Sequence, residues 1–137
     1  MGGMIGKETH ELHKIITRER IVQFSNYEPF DDLSKIHTEI DAAKNFGLPD
    51  IIAEGIMLLA YFSEMLTNYL GEGWVEGGKL SVNFVKMVLP GDSLTIKSII
   101  KEEAAEGPHR RLALEVWCEN QNGEKVAAGT ASGLLKV

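Results

Sequence analysis

The sequence predicts an α+β fold in which an antiparallel sheet packs around one long helix. Seven consecutive apolar residues, from Ile56 to Phe62, would make a helix apolar around its whole circumference, and such a helix must be enclosed. Four strand-like segments follow it, and the short connections between them favour antiparallel neighbours. With 137 residues and no internal repeat or linker, the chain is expected to form one domain over residues 1–137.

The chain before the long helix carries one strand and the first of two short helices. Loose alternation predicts a strand over residues 11–16. Thr17 is expected to cap a helix over residues 18–26. Pro29 then breaks the pattern, so the chain as far as His37 is predicted to be an irregular loop or turn.

A second short helix follows this irregular segment. Thr38 and Asp41 have the spacing of a capping box, in which two side chains satisfy free amides at the start of a helix. Residues 42–46 would form the helix body, and Gly47 with Pro49 would end it.

The second half of the chain is predicted to be mostly strand. The predicted strands cover residues 79–88, 94–100, 111–118 and 125–137. Residues 89–92, Leu-Pro-Gly-Asp, suit a type II turn. Asn122 and Gly123 suit a type I′ hairpin. The glycine-rich residues 71–77 are expected to be a flexible connector between the long helix and the first of these strands.

Composition and charge restrict the partners of the protein. The chain has 20 acidic against 14 basic residues and a formal charge of −6, which argues against nucleic-acid binding through a basic face. Several polar residues interrupt the longest apolar stretch, residues 51–70, so no membrane span is expected. The first residues lack the pattern of an export signal, and we expect a cytoplasmic protein. A single Cys118 provides no disulfide and no thiolate-rich metal site, and we expect neither a metal nor a separate cofactor.

Three short motifs occur in a fixed order in this chain. They are Asp32-Leu33-Ser34-Lys35-Ile36-His37, then Ile52-Ala53-Glu54-Gly55, then Leu89-Pro90-Gly91-Asp92. Together they resemble the MaoC-type hotdog-fold acyl-CoA dehydratases and (R)-specific enoyl-CoA hydratases. In that family an Asp stands five residues before a His, a helix begins at Ala-His-Gly-Met, and Pro-Gly-Asp precedes a strand. The resemblance covers roughly residues 10–137 and implies a hotdog fold, in which the sheet wraps a long central helix.

The resemblance also implies a chemistry and an assembly. It implies a lyase of fatty acid metabolism that reversibly hydrates a trans-2-enoyl-CoA, with coenzyme A as part of the substrate. His37 and Asp32 would then handle protons, because an imidazole exchanges protons near neutral pH and a carboxylate can orient a water or shuttle a proton. The backbone N–H of Gly55, at the start of the long helix, would stabilise the thioester oxygen. Proteins of this kind imply a homodimer or a higher homo-oligomer.

Departures from the family pattern leave alternatives open. Ser34 and Lys35 replace Asn-Pro, and Asp31 could be the acid in place of Asp32. Glu54 replaces the His before Gly, where it would at least complement the positive helix end. Two other functions therefore remain candidates. One is an acyl-CoA thioesterase that uses Glu54 or Glu64 against the acyl carbonyl, and the other is a non-catalytic acyl-binding or partner subunit.

Overall fold

The structure is a computed structural model that describes residues 3–26 and 32–137, but not the side chains of residues 26 and 32–34. Four α-helices are present in these ranges: α1 Arg18–Asn26, α2 Ile40–Asn45, α3 Gly55–Leu70 and α4 Glu72–Gly77. The strands are β1 Leu12–Ile15, β2 Lys79–Phe84, β3 Ser93–Glu106, β4 His109–Glu119 and β5 Lys125–Leu135. A 3₁₀ helix spans Asp32–His37. Within the described ranges, no helix combines the length and the apolar character needed to cross a membrane.

The five strands form one antiparallel sheet in the order β1-β3-β4-β5-β2. The predicted pairing of chain neighbours is confirmed for β3, β4 and β5, which form a meander. It is wrong for β2 and β3. Strand β2 pairs with β5, and the chain then crosses toward the opposite edge of the sheet, where β3 lies between β1 and β4. Strands β1 and β2 are therefore the two edges of the sheet.

The core lies between one face of the sheet and α3. In β3 as far as Ile100, and in β4 from Leu112 onward, every second residue is buried, so the period of two that defines a strand face is visible in the burial pattern. From α3, Phe62, Met65 and Leu66 are fully buried in the same cluster. This arrangement confirms the predicted α+β fold, with the sheet packed against the long helix.

The amino end of α3 is less enclosed than the sequence predicts. Ile56 is 61% exposed, so the helix is not covered around its whole circumference in this chain. Three more large apolar side chains are exposed at the end of β2 and just after it, namely Phe84, Val85 and Met87. We call Ile56 and these three residues the rim patch. Phe84, Val85 and Met87 also line a cavity at the amino end of α3.

The turn that precedes β3 has the predicted type II character. Gly91 has a φ of 95°, the left-handed region that the third position of such a turn requires. The Asp92 N–H donates to the Leu89 carbonyl over 3.1 Å and closes the turn.

The predicted type I′ hairpin is wrong. That turn needs positive φ at both central residues, and among the described residues only glycines have positive φ, Gly123 among them. Residues 120–124 instead form a five-residue connection between β4 and β5. The Asn120 side-chain oxygen accepts the N–H groups of Asn122 (2.9 Å) and Glu124 (3.1 Å), which supplies the local hydrogen bonds of the loop.

The predicted cap of α1 is confirmed, whereas the predicted capping box of α2 is wrong. Thr17 caps α1 as predicted, since its hydroxyl accepts the Arg20 N–H over 3.1 Å. The predicted capping box at Thr38 is wrong, because α2 begins at Ile40 and its N-cap residue, Glu39, makes no capping hydrogen bond with its side chain.

The predicted flexible connector after α3 is instead helical, as α4. Its second residue, Gly73, packs against β5 so closely that a Cβ there would lie 1.8 Å from the Leu134 carbonyl oxygen. The Trp74 indole N–H donates to the Ser63 hydroxyl over 2.9 Å and ties α4 to α3. Glycine is a poor helix former, so this short helix depends on tertiary contacts that local propensity does not contain.

Cys118 lies on the core face of β4 with 1% of its surface exposed. Burial raises the pKa of its thiol to about 12. Since the thiolate is the reactive form, this side chain is inert at neutral pH and acts as a small apolar core residue.

An ion pair fixes α1 to the chain that leads into α3. The two terminal nitrogens of Arg18 donate to the two carboxylate oxygens of Asp50 over 3.0 and 2.7 Å. The same carboxylate also accepts the Ile51 N–H over 2.7 Å. The hydrogen bonds from Arg18, followed by that from Ile51, lower the pKa of Asp50 below its ordinary value.

Asp50→Asn is expected to destabilise the protein more at neutral pH than in acid. A carboxyl whose folded pKa is depressed stabilises the fold above its unfolded pKa of about 3.9, and this contribution disappears as the pH falls through the folded value. Asn can still accept the Ile51 N–H, so the substitution isolates the pairing with Arg18. Urea unfolding at pH 7 and at pH 3 measures the difference between the two proteins. An equal difference at both pH values would contradict this assignment.

Candidate active site

A cavity of about 360 Å³ opens at the amino end of α3. Its walls come from the 3₁₀ helix, the chain leading into α3, the start of α3 and the chain that follows β2. They are formed by His37, Ile52, Ala53, Gly55, Leu58, Phe84, Val85, Lys86, Met87 and Val88. Apart from His37 and from Lys86, whose ammonium pairs with Glu124, the walls are apolar, which suits an uncharged chain attached to a reactive polar group.

A hydrogen bond selects one tautomer of the neutral His37 ring. Its Nδ1 lies 2.6 Å from the Ile52 carbonyl oxygen. A carbonyl oxygen only accepts, so Nδ1 carries the ring proton and Nε2 is left with a free lone pair. The irregular loop or turn predicted from Pro29 to His37 lies outside the described residues before residue 32, and from there a 3₁₀ helix runs to His37 instead. The cavity therefore contains an imidazole with a nitrogen able to accept a proton.

The chain leading into α3 fixes the position of this imidazole. The Ile52 N–H donates to the Ile36 carbonyl over 3.2 Å, so Ile52 contacts the 3₁₀ helix through both backbone groups. On the other side, the Ala53 N–H donates to the Val88 carbonyl over 2.9 Å. Residues 51–53 thus connect the two walls of the cavity.

Gly55 is the first residue of α3 and also lines the cavity. The first N–H groups of a helix have no acceptor within that helix, which leaves the Gly55 N–H available to a ligand. A Cβ at this position would lie 2.8 Å from the Phe84 ring, so glycine permits the close approach of that ring. The structure brings Gly55 and His37, both predicted from the sequence, to one cavity.

The predicted acid is not placed by the structure. Asp32 begins the 3₁₀ helix, but its side chain lies outside the described part of the chain, as does the whole of Asp31. The assignment of Asp32 therefore stays a prediction. Among the described side chains, no three His, Cys, Asp or Glu groups lie close enough together to hold a metal ion.

The two candidate glutamates of α3 have different surroundings. Glu54 is the N-cap residue of α3, and its Oε1 lies 4.0 Å from His37 Nε2. Glu64 pairs with Lys14 at 3.0 Å on the surface. Neither glutamate is among the lining residues, but Glu54 stands between two residues that are, Ala53 and Gly55. From the sequence, Glu54 was expected to complement the positive end of α3, but its proximity to His37 was not predicted. The signal that could have indicated this proximity is the position of Glu54 in the second motif, where the family has a histidine.

An antiparallel sheet packed against one long helix is the architecture of the hotdog class of protein. The chain belongs to the MaoC-like domain family, whose sequence model matches residues 5–111. This membership confirms the resemblance drawn from the three motifs and associates the chain with dehydratases of that fold. A search of the curated proteins finds no match.

Solved structures with the same fold are numerous. An (R)-hydratase from Pseudomonas aeruginosa, in unliganded form, is 20% identical with a TM-score of 0.77, covering 96% of this chain and 81% of that chain. An (R)-hydratase from A. caviae, involved in PHA biosynthesis, is 20% identical with a TM-score of 0.77, covering 97% and 96%. The C-terminally truncated HadBC complex of Mycobacterium tuberculosis, a 3R-hydroxyacyl-ACP dehydratase, is 18% identical with a TM-score of 0.73, covering 97% and 98%. At these identities the comparisons establish the fold.

Proposed function

We propose that the protein catalyses the reversible hydration of a trans-2-enoyl-CoA. One observation carries the proposal: an imidazole with a free Nε2 lone pair and the unpaired amino end of a 16-residue helix border the same apolar cavity. A proton acceptor beside donors for a developing oxyanion is the combination that addition of water to a conjugated thioester requires.

The reaction can be assigned atom by atom. His37 Nε2 removes a proton from a water molecule, whose oxygen forms a bond to C3 of the substrate. The electron pair of the C2–C3 double bond moves toward the thioester carbonyl, where the Gly55 N–H stabilises the negative charge. C2 then receives the proton that His37 removed, and the carbonyl re-forms. Asp32 orients the water or shuttles the proton, as predicted from the sequence.

The walls of the cavity support an acyl substrate. Ile52, Leu58 and Val88 offer the acyl chain an apolar lining. Coenzyme A enters only as the carrier of the acyl group, since the steps above need no further cofactor. The thioester must then lie with its carbonyl at the start of α3 and its chain along these apolar side chains.

Purified protein mixed with crotonyl-CoA and with longer enoyl-CoAs tests this function. Loss of the absorbance of the conjugated thioester, without release of free thiol, is the expected result. Thiol release in the parallel titration would instead indicate a thioesterase, the alternative favoured by the position of Glu54 beside the cavity. If neither signal changes and activity appears only after a second chain is added, this chain is a partner subunit.

We also propose that two copies of this chain associate through β2. This strand is an edge of the sheet, so its outer side has no strand neighbour among the described residues and offers backbone groups for pairing. The exposed residues of the rim patch lie at its end and at the start of α3. A second copy would cover them and would close the cavity from outside, which suits a reaction that excludes bulk water.

Sedimentation equilibrium measures this association. We expect a mass twice that of the chain, and we expect Val85→Asp, which places a charge in the rim patch, to yield folded monomer at the same concentration. A wild-type protein that is monomeric at tens of micromolar would contradict the proposal.

A further inference from the structure

We propose that Glu54 and His37 together hold the water molecule that adds to the substrate. This inference rests on the proposed hydratase function and assigns a catalytic residue to it. Glu54 stands between Ala53 and Gly55, both of which line the cavity. Its side chain is 24% exposed, and that of His37 is 16% exposed, so both groups are largely withdrawn from bulk solvent.

The distance between the two groups fits a bridging water. His37 Nε2 and Glu54 Oε1 lie 4.0 Å apart, whereas direct hydrogen bonds between nitrogen and oxygen have lengths of about 2.7–3.2 Å. Because the ring proton is on Nδ1, Nε2 is an acceptor, and a carboxylate also only accepts. Two acceptors cannot bond to each other, but one water can donate a hydrogen to each. At about 2.8 Å from both atoms, it would form an angle of roughly 90° between them, which a water molecule tolerates.

Other roles do not account for the position of Glu54. Its carboxylate makes no hydrogen bond that caps α3, although it is the N-cap residue. Within the described part of the chain, the His37 imidazole lies 4.0 Å from the Glu54 carboxylate. The positive end of α3 favours a negative charge there, but that effect acts on any orientation of the side chain and does not require it to approach the imidazole.

His37 and Glu54 each accept a different hydrogen of the water molecule. One hydrogen of the water passes to His37 Nε2 as the oxygen bonds to C3, and it is returned to C2, directly or through Asp32. The other hydrogen stays bonded to the oxygen and becomes the hydroxyl proton of the product, while Glu54 accepts its hydrogen bond throughout. Glu54 therefore fixes the direction of the attacking lone pair, a contribution that orientation makes to the rate.

Steady-state kinetics of Glu54→Ala tests this assignment. Losing the second acceptor is expected to lower kcat for hydration by ~10²-fold with little change in KM, because the cavity walls bind the acyl chain. Glu54→Gln retains a neutral acceptor and should fall between Glu54→Ala and wild type. Glu72→Ala, at the start of α4 and 82% exposed, is the matched control for a helix-start carboxylate and should have wild-type kcat. Wild-type kcat in Glu54→Ala would overturn the proposal.

A second measurement does not depend on activity. In ¹⁵N-labelled protein, the resonance of His37 Nε2 should shift in Glu54→Gln while that of Nδ1, which is bonded to Ile52, remains in place. Unchanged resonances of both nitrogens would overturn the pairing even if the variant loses activity. If wild-type protein hydrates no enoyl-CoA and yet the Nε2 resonance responds to Glu54, the proposed function fails and the pairing stands. Thermal melting of each variant identifies any that does not fold.

Discussion

His37→Gln is expected to lower the rate of enoyl-CoA hydration by ~10²-fold or more, because an amide cannot exchange a proton with water near neutral pH as an imidazole does. The effect should appear in kcat, since the apolar walls that bind the acyl chain are untouched. Full activity in the His37→Gln protein would remove the proposed mechanism.

Two further variants show whether such a loss is chemical or structural. His37→Asn places an amide N–H close to the position of Nδ1 and can retain the hydrogen bond to the Ile52 carbonyl, yet it lacks the exchanging nitrogen. It should be as inactive as His37→Gln and as stable as wild type. His13→Gln, at an exposed site on β1, is the matched control and should keep wild-type activity.

Phe62→Ala is expected to lower the free energy of unfolding by about 3–5 kcal/mol, the range for removing a large buried aromatic side chain. Phe62 is fully buried where α3 faces the sheet, so its loss leaves a cavity between the two layers of the fold. Urea unfolding at one protein concentration measures the change as a lower midpoint with a similar slope.

Val75→Ala provides the comparison for this variant. Val75 lies on α4 with 75% of its surface exposed, so its truncation should change stability by no more than about 0.5 kcal/mol. Similar midpoints for Phe62→Ala and Val75→Ala would show that α3 is not the centre of the core.

The regular elements with strong local signals could be predicted from the sequence. Helix α1 has the predicted bounds because a side-chain cap marks its start, and β4 appears where Leu112, Leu114 and Val116 share one face. Strands β3 and β5 begin within one residue of their predicted starts, but β3 continues six residues past its predicted end, to Glu106. The type II turn at residues 89–92 also follows from local chemistry, since only its glycine position needs positive φ.

The errors fall where contacts distant in sequence decide the local structure. Helix α4 exists because Gly73 packs on Leu134, a contact between segments about sixty residues apart. Pairing of β2 with β5 rather than β3 is likewise a property of the whole sheet. Local propensity contains neither contact, and it predicted a connector and a simple meander.

The candidate site also has features that the sequence could predict and one that it could not. The helix start at Gly55 and the histidine that precedes α2 could be predicted, because a motif of short range contains each of them. The approach of Glu54 to His37 could not, since it depends on the backbone hydrogen bonds that residues 51–53 make to both walls of the cavity.

The single cysteine offers a practical advantage for following motion in this protein. Its thiol is enclosed in the sheet and stays protonated at the pH of maleimide coupling, so a newly introduced surface cysteine would be the one site that takes a fluorophore in the native state. Dyes attached near the mouth of the cavity could then report substrate entry in real time, without a cysteine-free background having to be engineered first.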